Sequence, residues 1–285
     1  MAMAAPTTQT EEAFWKPTQE ELASKPVVID VDHLDWSFGP RQVLFDVNMK
    51  VHESEIMVIM GGSGSGKTTF LRHLVGLMPP LPGKIKLLGQ DMGNLRALDK
   101  LELRRKIGVA FQFGALFSSM NVAENVKLPL RELAHLDEKT MDIMARLKLE
   151  VVNMSGFGHL MPAELSGGMV KRASIARAIV MDPKLVFLDE PSSGLDPVVS
   201  SALDDLILRL REAMGISVVV VTHDVESAFK IGDRITVLDR GRVLACEPPE
   251  QIKVNPNERV QNLIHRRSEH VEVDPEEYLR RLAGD

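Results

Sequence analysis

The sequence predicts an α/β fold built on a mainly parallel sheet with helices on both faces. Short apolar runs, such as Leu185–Leu188 and Ile216–Thr222, alternate with segments whose apolar residues recur at helical spacing. This alternation is typical of parallel strands joined by helices. A hairpin pattern near the N-terminus and a helix-rich stretch in mid-chain predict two smaller subdomains. A chain of 285 residues is long enough for such a core.

The first elements predicted along the chain are an arm and a hairpin. Residues 1–26 are polar and rich in Glu and Thr, so we expect a flexible or loosely docked arm without the apolar stretch of a signal peptide. Val27–Phe38 and Val43–His52 nearly alternate apolar and polar residues around Gly39-Pro40, which predicts a hairpin. A second short pair ends in Lys84–Gly89. Together these segments predict an N-terminal antiparallel β subdomain.

The middle of the chain changes character. Periodic Leu and Met residues stand between polar ones, as in Lys139–Leu149, and β-branched residues are sparse. We therefore expect a helical subdomain, over about residues 113–182, inserted into a main domain at 27–249. The charged segment 250–285 has short helical patterns such as Glu276–Leu282, and predicts a helical tail. Our hypothesis is that this tail reaches a neighbouring subunit or a regulatory protein; a solvated tail is the alternative.

The strongest motif is Gly61–Thr68, which fits the phosphate-binding pattern G-x-x-x-x-G-K-[ST] at every fixed position. An apolar run precedes it and a helical pattern follows, which is the context that such a site requires. Its backbone N–H groups and the helix N-terminus would face phosphate oxygens. Lys67 would reach the β- and γ-phosphates, and the Thr68 hydroxyl would bind Mg²⁺. The predicted nucleotide cradle comprises Gly61, Gly62, Ser63, Gly64, Ser65, Gly66, Lys67, Thr68 and Thr69.

Two further segments carry groups that a nucleotide site could use. After an apolar strand, Asp189 is placed to hold Mg²⁺ and Glu190 to polarise the attacking water; an acidic pair that merely caps a turn is the alternative. Ser166 stands at an N-cap before Gly167-Gly168, so this helix start is either a second anion site or a simple cap. One ATP cannot easily use both sites of one molecule. The pattern therefore favours a head-to-tail dimer.

These motifs occur in the order found in ATP-binding-cassette ATPases, and the chain resembles that family from about Val27 to Pro249. The matching segments are G-G-S-G-S-G-K-T at 61–68, Gln112 after a strand, L-S-G-G-M at 165–169, L-V-F-L-D-E at 185–190, S-G-L-D at 193–196 and T-H-D at 222–224. The resemblance implies a homodimeric ATPase that holds ATP and Mg²⁺ between the loop of one subunit and Ser166, Gly167, Gly168 and Asp196 of the other.

The resemblance also implies roles for residues that no pattern singles out. Phe38 would stack on adenine, with a core-facing strand aromatic as the alternative. Gln112 would contact Mg²⁺ and the attacking water, and His223 would contact the γ-phosphate beside Glu190. Met169 stands where Gln is usual in the family, and Gly62 where Pro is common. Neither departure removes a group that contacts phosphate.

One stretch points to a subfamily. F-Q-F-G-A-L-F-S-S-M-N-V at 111–122 and L-M-P-A-E-L-S-G-G-M at 160–169 resemble the ATPases of the Mla/MCE lipid transporters. This implies phospholipid transport between inner and outer membranes, with a separate permease, an MCE-domain protein and a small STAS-domain regulatory protein as partners. A permease helix would dock on 111–126, although Leu116 and Phe117 could instead pack inside the helical subdomain.

Composition narrows the alternatives. A net charge of −6 argues against a nucleic-acid-binding protein, and the single Cys246 cannot form an internal disulfide. No apolar run approaches the ~20 residues that span a bilayer, so we expect a cytosolic protein whose membrane role comes through partners. The resemblance implies that these partners hold it at the cytoplasmic face of the inner membrane. An importer ATPase for an amino acid or metal is the nearest alternative. A soluble cassette protein acting in translation or DNA repair is remote, because the chain has one cassette and no sustained heptads.

Overall fold

The computed structural model describes residues 14–78 and 81–267. The helical pattern predicted at 276–282 therefore lies outside the described residues, as does the first half of the N-terminal arm. The elements, in chain order, are α1 (Gln19–Ser24), β1 (Val27–Phe38), β2 (Arg41–His52), β3 (Ile56–Met60), α2 (Lys67–Leu74), β4 (Ile85–Leu87), β5 (Gln90–Asp91), α3 (Ala97–Arg105), β6 (Ile107–Ala110), α4 (Val122–Leu133), α5 (Glu138–Val151), a 3-10 turn (Pro162–Glu164), α6 (Gly167–Ala178), β7 (Leu185–Asp189), α7 (Pro197–Met214), β8 (Ser217–Thr222), α8 (Val225–Ile231), β9 (Arg234–Asp239), β10 (Arg242–Glu247), α9 (Pro249–Lys253) and α10 (Glu258–Ile264).

The strands form two sheets, as the sequence predicts. The larger has the order β10-β9-β3-β8-β7-β6, and the smaller the order β2-β1-β4-β5. In the larger sheet β9, β3, β8, β7 and β6 run parallel to one another. Strand β10, at one edge of this sheet, pairs antiparallel with β9. The smaller sheet is antiparallel throughout, because β1 pairs with both β2 and β4 in that sense. The predicted fold class is confirmed.

Two apolar cores lie on opposite faces of the larger sheet. Alternate residues of β3 supply both: Ile56, Val58 and Met60 face helices α4–α8, whereas Met57 and Ile59 face the smaller sheet and α2. This division follows from the two-residue period of a strand that is buried on both faces. The helical segment between β6 and β7 contributes α4, α5 and α6 to the first core.

The second half of the N-terminal arm is docked, which is one of the two alternatives expected for it. Thr18 caps α1, and Leu22 on that helix is only 1% exposed. The main-chain N–H of Trp15 donates to the Glu212 carboxylate at 3.1 Å, and the main-chain carbonyl of Trp15 accepts from the Arg211 guanidinium. These contacts join residues almost two hundred positions apart, which is why the local sequence did not reveal the partner on which the arm docks.

The start of the C-terminal tail also packs on the main domain. Ile252 of α9 and Val260 of α10 are fully buried in the core that contains helices α4–α8. Among the described residues, no helix is long and apolar enough to cross a membrane.

Candidate active site

The loop Gly61–Thr68 connects β3, which is buried at all five positions, to α2. Gly64 and Gly66 have φ of 74° and 103°, in the left-handed region that glycine adopts without steric cost. Gly61 is required for a different reason: a Cβ there would lie 2.2 Å from the Leu238 carbonyl oxygen of β9. The predicted strand, loop and helix are thus in place, and the loop rests directly on the sheet.

Lys67 lies over this loop. Its ammonium donates to the carbonyls of Gly61 at 2.7 Å and Gly62 at 2.9 Å. Burial lowers the pKa of Lys67, while the charges of Glu190 and Asp189 oppose that shift. The Ser65 hydroxyl is buried and has no hydrogen-bond partner among the described residues. A cation, an unpaired hydroxyl and a helix N-terminus facing one loop are suited to a polyphosphate.

A cavity of about 410 Å³ opens beside the loop. Gly64–Thr69 form one wall, and Phe38, Arg41 and Val43 form the other. Phe38 is 49% exposed and contacts Trp36 edge to face, with ring centroids 6.1 Å apart. The alternative of a core-facing aromatic is therefore wrong, and the ring borders the cavity that a base would enter.

Strand order brings the other predicted groups to the same edge of the sheet. β8 lies between β3 and β7, with Met60 paired to Thr222 and Asp189 to Val221. The loop, the acidic pair and His223 therefore all follow the carboxyl ends of adjacent parallel strands, where ligands of open α/β sheets bind. Burial, and then the charge of Glu190, raise the pKa of Asp189, whereas Lys171, Lys67 and Arg72 act to lower it.

Glu190 is held through both its main chain and its side chain. It has φ of 47°, in the left-handed region, and its N–H donates to the Val221 carbonyl at 2.8 Å. Its side chain is nearly buried, and its two carboxylate oxygens lie 2.9 and 2.8 Å from Nδ1 of His223. The imidazole itself is exposed, so it presents its other edge to the space outside the sheet. This pairing was implied only by the family resemblance.

Sequence reasoning did not identify Lys171, which joins two of the predicted residues. Its ammonium donates to the Glu190 carbonyl at 2.8 Å and to the Gln112 carbonyl. Gln112 follows β6, which pairs with β7, and so reaches the same edge of the sheet. The sequence offers little signal for it, because the buried residues of α6 lie on several faces of the helix and no apolar stripe singles out Lys171.

The second predicted anion site is an exposed helix start. Ser166 is the N-cap of α6 and accepts from the Met169 N–H at 3.3 Å. Asp196 caps α7 in the same way, and a Cβ on Gly168 would lie 2.8 Å from Val199 of that helix. The two helix starts therefore pack together. The walls of the 410 Å³ cavity come from other segments, so these residues do not enclose the loop of their own chain.

A second cavity, of about 520 Å³, lies between the edge of the larger sheet that bears Glu190 and helix α10 of the C-terminal region. Glu190, His223 and residues 192–195 form one side. Asn262, Leu263 and Arg266, on or next to α10, form the other. The sequence did not predict that the tail begins so close to these residues.

Comparison with known proteins agrees with this geometry. A family model described as "ABC transporter" matches residues 44–193. The intermembrane phospholipid transport system ATP-binding protein MlaF of Haemophilus influenzae is 40% identical over 233 residues, covering 82% of this chain and 88% of the relative. The probable ribonucleotide transport ATP-binding protein mkl of Mycobacterium tuberculosis is 36% identical over 254 residues, covering 89% of this chain and 71% of the relative.

Two solved structures are similar along most of their length. The ATP-binding cassette MJ0796, in a dimeric post-hydrolysis state bound to ADP and Pi, has 31% identity and a TM-score of 0.71 over 78% of this chain and 98% of that chain. The cbiO1 protein of Clostridium perfringens, part of the transporter complex cbiONQ, has 25% identity and a TM-score of 0.74 over 90% of this chain and 99% of that chain. The matched family segment contains the loop, Gln112, Ser166 and the acidic pair, and the chain belongs to the ABC transporter family, as an ATP-binding component that hydrolyses ATP.

Proposed function

We propose that this chain is the ATPase of a transporter that moves phospholipid between the inner and outer membranes. The observation that carries the proposal is the 40% identity to MlaF of H. influenzae across 82% of the chain. In this proposal a homodimer works at the cytoplasmic face of the inner membrane with a separate permease and an MCE-domain protein. A small STAS-domain protein would regulate it.

The exposed aromatic residues after Gln112 support docking of a permease. Phe113 is 86% exposed and Phe117 51% exposed, on the loop between β6 and α4. Leu116 of the same loop packs against the core instead. Packing within the subunit therefore accounts for Leu116, whereas Phe113 and Phe117 are exposed and available to contact a permease.

The proposed chemistry is positional and electrostatic. Hydroxyl, amide and carboxylate oxygens from Thr68, Gln112 and Asp189 are the hard donors that Mg²⁺ prefers, and the ion would neutralise phosphate charge when bound. Lys67 would leave the loop carbonyls for the β- and γ-phosphates. Glu190 would orient the attacking water, with His223 beside the γ-phosphate.

The site is proposed to be completed by a second copy. Ser166, Gly167 and Gly168 lie at the start of α6, which is open to solvent at Ser166 and Gly167, and Asp196 lies next to them. One subunit can therefore present these groups to the nucleotide of its partner. Two ATP molecules would then lie in the dimer seam. Each would lie between the loop Gly61–Thr68 of one subunit and the signature segment, Leu165–Met169, of the other.

Glu190→Gln tests the catalytic assignment. The amide keeps the size of the side chain but cannot accept a proton, so we expect ATP affinity within about twofold of the wild type and turnover at least ~100-fold lower. ATP should then trap a dimer that size-exclusion chromatography resolves. Wild-type turnover in this variant would remove Glu190 from the mechanism.

The transported substrate is tested by purification from membranes. An MCE-domain protein and bound phospholipid, identified by mass spectrometry, would support lipid transport. The second candidate is transport of a small solute, in keeping with the name of the M. tuberculosis relative, a probable ribonucleotide transport protein. Recovery of a periplasmic solute-binding protein without phospholipid would support that candidate instead.

A further inference from the structure

Lys171 lies on the second turn of α6, five residues after Ser166. Its side chain is buried, and the whole residue is only 8% exposed. The ammonium donates to two main-chain carbonyls, those of Gln112 and Glu190, which are 78 positions apart in the chain. One cation on α6 thus contacts the main chain of two proposed active-site residues.

Placing an ammonium here has an energetic cost. Burial lowers the pKa of Lys171, and the nearby charges of Glu190 and Asp189 oppose that shift. Both groups that accept hydrogen bonds from the ammonium are neutral main-chain carbonyls. The negative charges of Glu190 and Asp189 therefore stabilise the ammonium from a distance, through their electric field. An apolar side chain would fill the same space without this cost.

The contact bears on the conformation of Glu190. A non-glycine residue with φ of 47° is disfavoured and persists where its surroundings hold it. The Glu190 N–H is bonded to Val221 of β8, and its carbonyl is bonded to Lys171 of α6. The main chain is therefore held from both sides, which aims the carboxylate at His223.

The same helix also holds the loop that follows Gln112. Arg177 donates to the carbonyls of Gly114 at 2.8 Å and Ala115 at 2.7 Å. Gly114 packs closely on α6, since a Cβ there would lie 2.6 Å from Val170. Lys171 and Arg177 thus hold the loop that bears Phe113, and Lys171 additionally reaches Glu190.

We propose that Lys171 is a positioning residue that fixes Glu190 relative to Gln112 and to α6. A shift of α6 then moves the carbonyl of Glu190 through one ammonium. Attack of water in one subunit thereby depends on what contacts Ser166 at the start of that helix. This inference rests on the proposed roles of Glu190 and Gln112.

Three variants of the full-length protein test the proposal. Lys171→Met removes the donors and keeps the length of the side chain, Lys171→Arg keeps a donating cation, and Arg177→Met is the matched control that loosens the loop without a contact to Glu190. We expect Lys171→Met to lower kcat at least ~10-fold with KM for ATP within about twofold. Lys171→Arg should recover kcat to within about threefold of the wild type, and Arg177→Met should stay within that range.

Amide hydrogen exchange without nucleotide gives a readout that does not depend on turnover. We expect exchange to rise at least about threefold at both 112–116 and 190–194 in Lys171→Met, but only at 112–116 in Arg177→Met. Should Lys171→Met fail to fold, Lys171→Gln, with a shorter neutral donor, carries the same comparison. Unchanged exchange at 190–194, an unchanged kcat, or an equal loss in Lys171→Arg would overturn the proposal.

Glu190→Gln is measured in parallel. If that variant keeps full turnover, the proposed catalytic role of Glu190 fails. If it is inactive while Lys171→Met is fully active, the catalytic role stands and the positioning role of Lys171 is refuted.

Discussion

The loop Gly61–Thr68 and the helix start Ser166–Gly168 use the same backbone physics, since each offers N–H groups at the N-terminus of a helix. Their surroundings differ. The loop rests on the sheet at Leu238, holds a lysine over its carbonyls and borders a cavity with Phe38. The helix start is exposed, and its packing partner is another helix start at Val199. The difference fits the proposal that the loop binds the nucleotide, whereas the helix start closes over a nucleotide held by another copy.

The largest expected effect is on ATP hydrolysis by dimers that carry a loop variant in one subunit and a helix-start variant in the other. These dimers test whether the two elements act on the same nucleotide from different subunits. Lys67→Ala should lose most ATP affinity, while Ser166→Arg should keep that affinity and lose turnover, each lowering hydrolysis at least ~100-fold. A dimer with one variant in each subunit retains one intact pair of loop and helix start. We expect it to hydrolyse ATP at about half the wild-type rate or less, but well above either homodimer.

The assay mixes differently tagged subunits, isolates the mixed dimers by tandem affinity purification and measures phosphate release. If both elements acted on the same ATP within one chain, each subunit of the mixed dimer would be inactive. Activity no higher than that of the homodimers would therefore contradict the shared site.

Gly61→Ala tests the close packing of the loop on the sheet. The added Cβ meets the main chain of Leu238, which cannot move alone, so we expect a loss of about 1–3 kcal/mol in the free energy of unfolding and weaker ATP binding. Gly62→Ala is the control, because a Cβ there meets nothing within 4 Å. Urea unfolding and nucleotide titration measure both. Equal behaviour of the two variants would show that the loop tolerates displacement.

Phe38→Ala tests the open wall of the cavity. Loss of one stacking face should weaken ATP binding by about 1 kcal/mol, or roughly fivefold, with little change in kcat. Phe38→Tyr retains the ring and should bind like the wild type. Isothermal titration with ATP and with inorganic triphosphate separates the base contribution, since triphosphate affinity should not change. A loss shared by both ligands would place the effect in the loop instead.

The smallest expected effect concerns Asp204 on α7, the helix against which Gly168 packs. Burial raises the pKa of Asp204 to about 6, and the Ser227 hydroxyl, which donates to it at 2.6 Å, acts to lower it. Because the folded state holds this proton more tightly than the unfolded state, the group destabilises the fold as pH rises from about 4 through 6.

Asp204→Asn should therefore be more stable than the wild type at pH 8, by about 1–3 kcal/mol, and this gap should shrink by about 1 kcal/mol at pH 5. Urea unfolding at the two pH values measures the gap. A gap that is the same at both would show that the carboxyl is not the source of the pH dependence.

Much of the fold was predictable because its signals are local. The β1–β2 hairpin, the strand and helix around Gly61–Thr68, and the cap of α7 by Asp196 each follow from residues a few positions apart. Short element α3 was not predicted. Leu103 is the one buried residue of that helix, whereas Leu98 and Leu101 are exposed, so its apolar residues do not mark a single buried face.

The sequence by itself determined which chemical groups the site contains, since a phosphate-binding loop, an acidic strand end and a capped helix start are each written in a few adjacent residues. Tertiary structure alone decided where they meet. The order β3-β8-β7-β6 places Lys67, Glu190, His223 and Gln112 at one edge of the sheet. Packing of α6 against that edge then brings in Lys171, and docking of Trp15 on Arg211 orders the second half of the arm. Contacts of this kind depend on strand order and helix packing, which no short segment encodes.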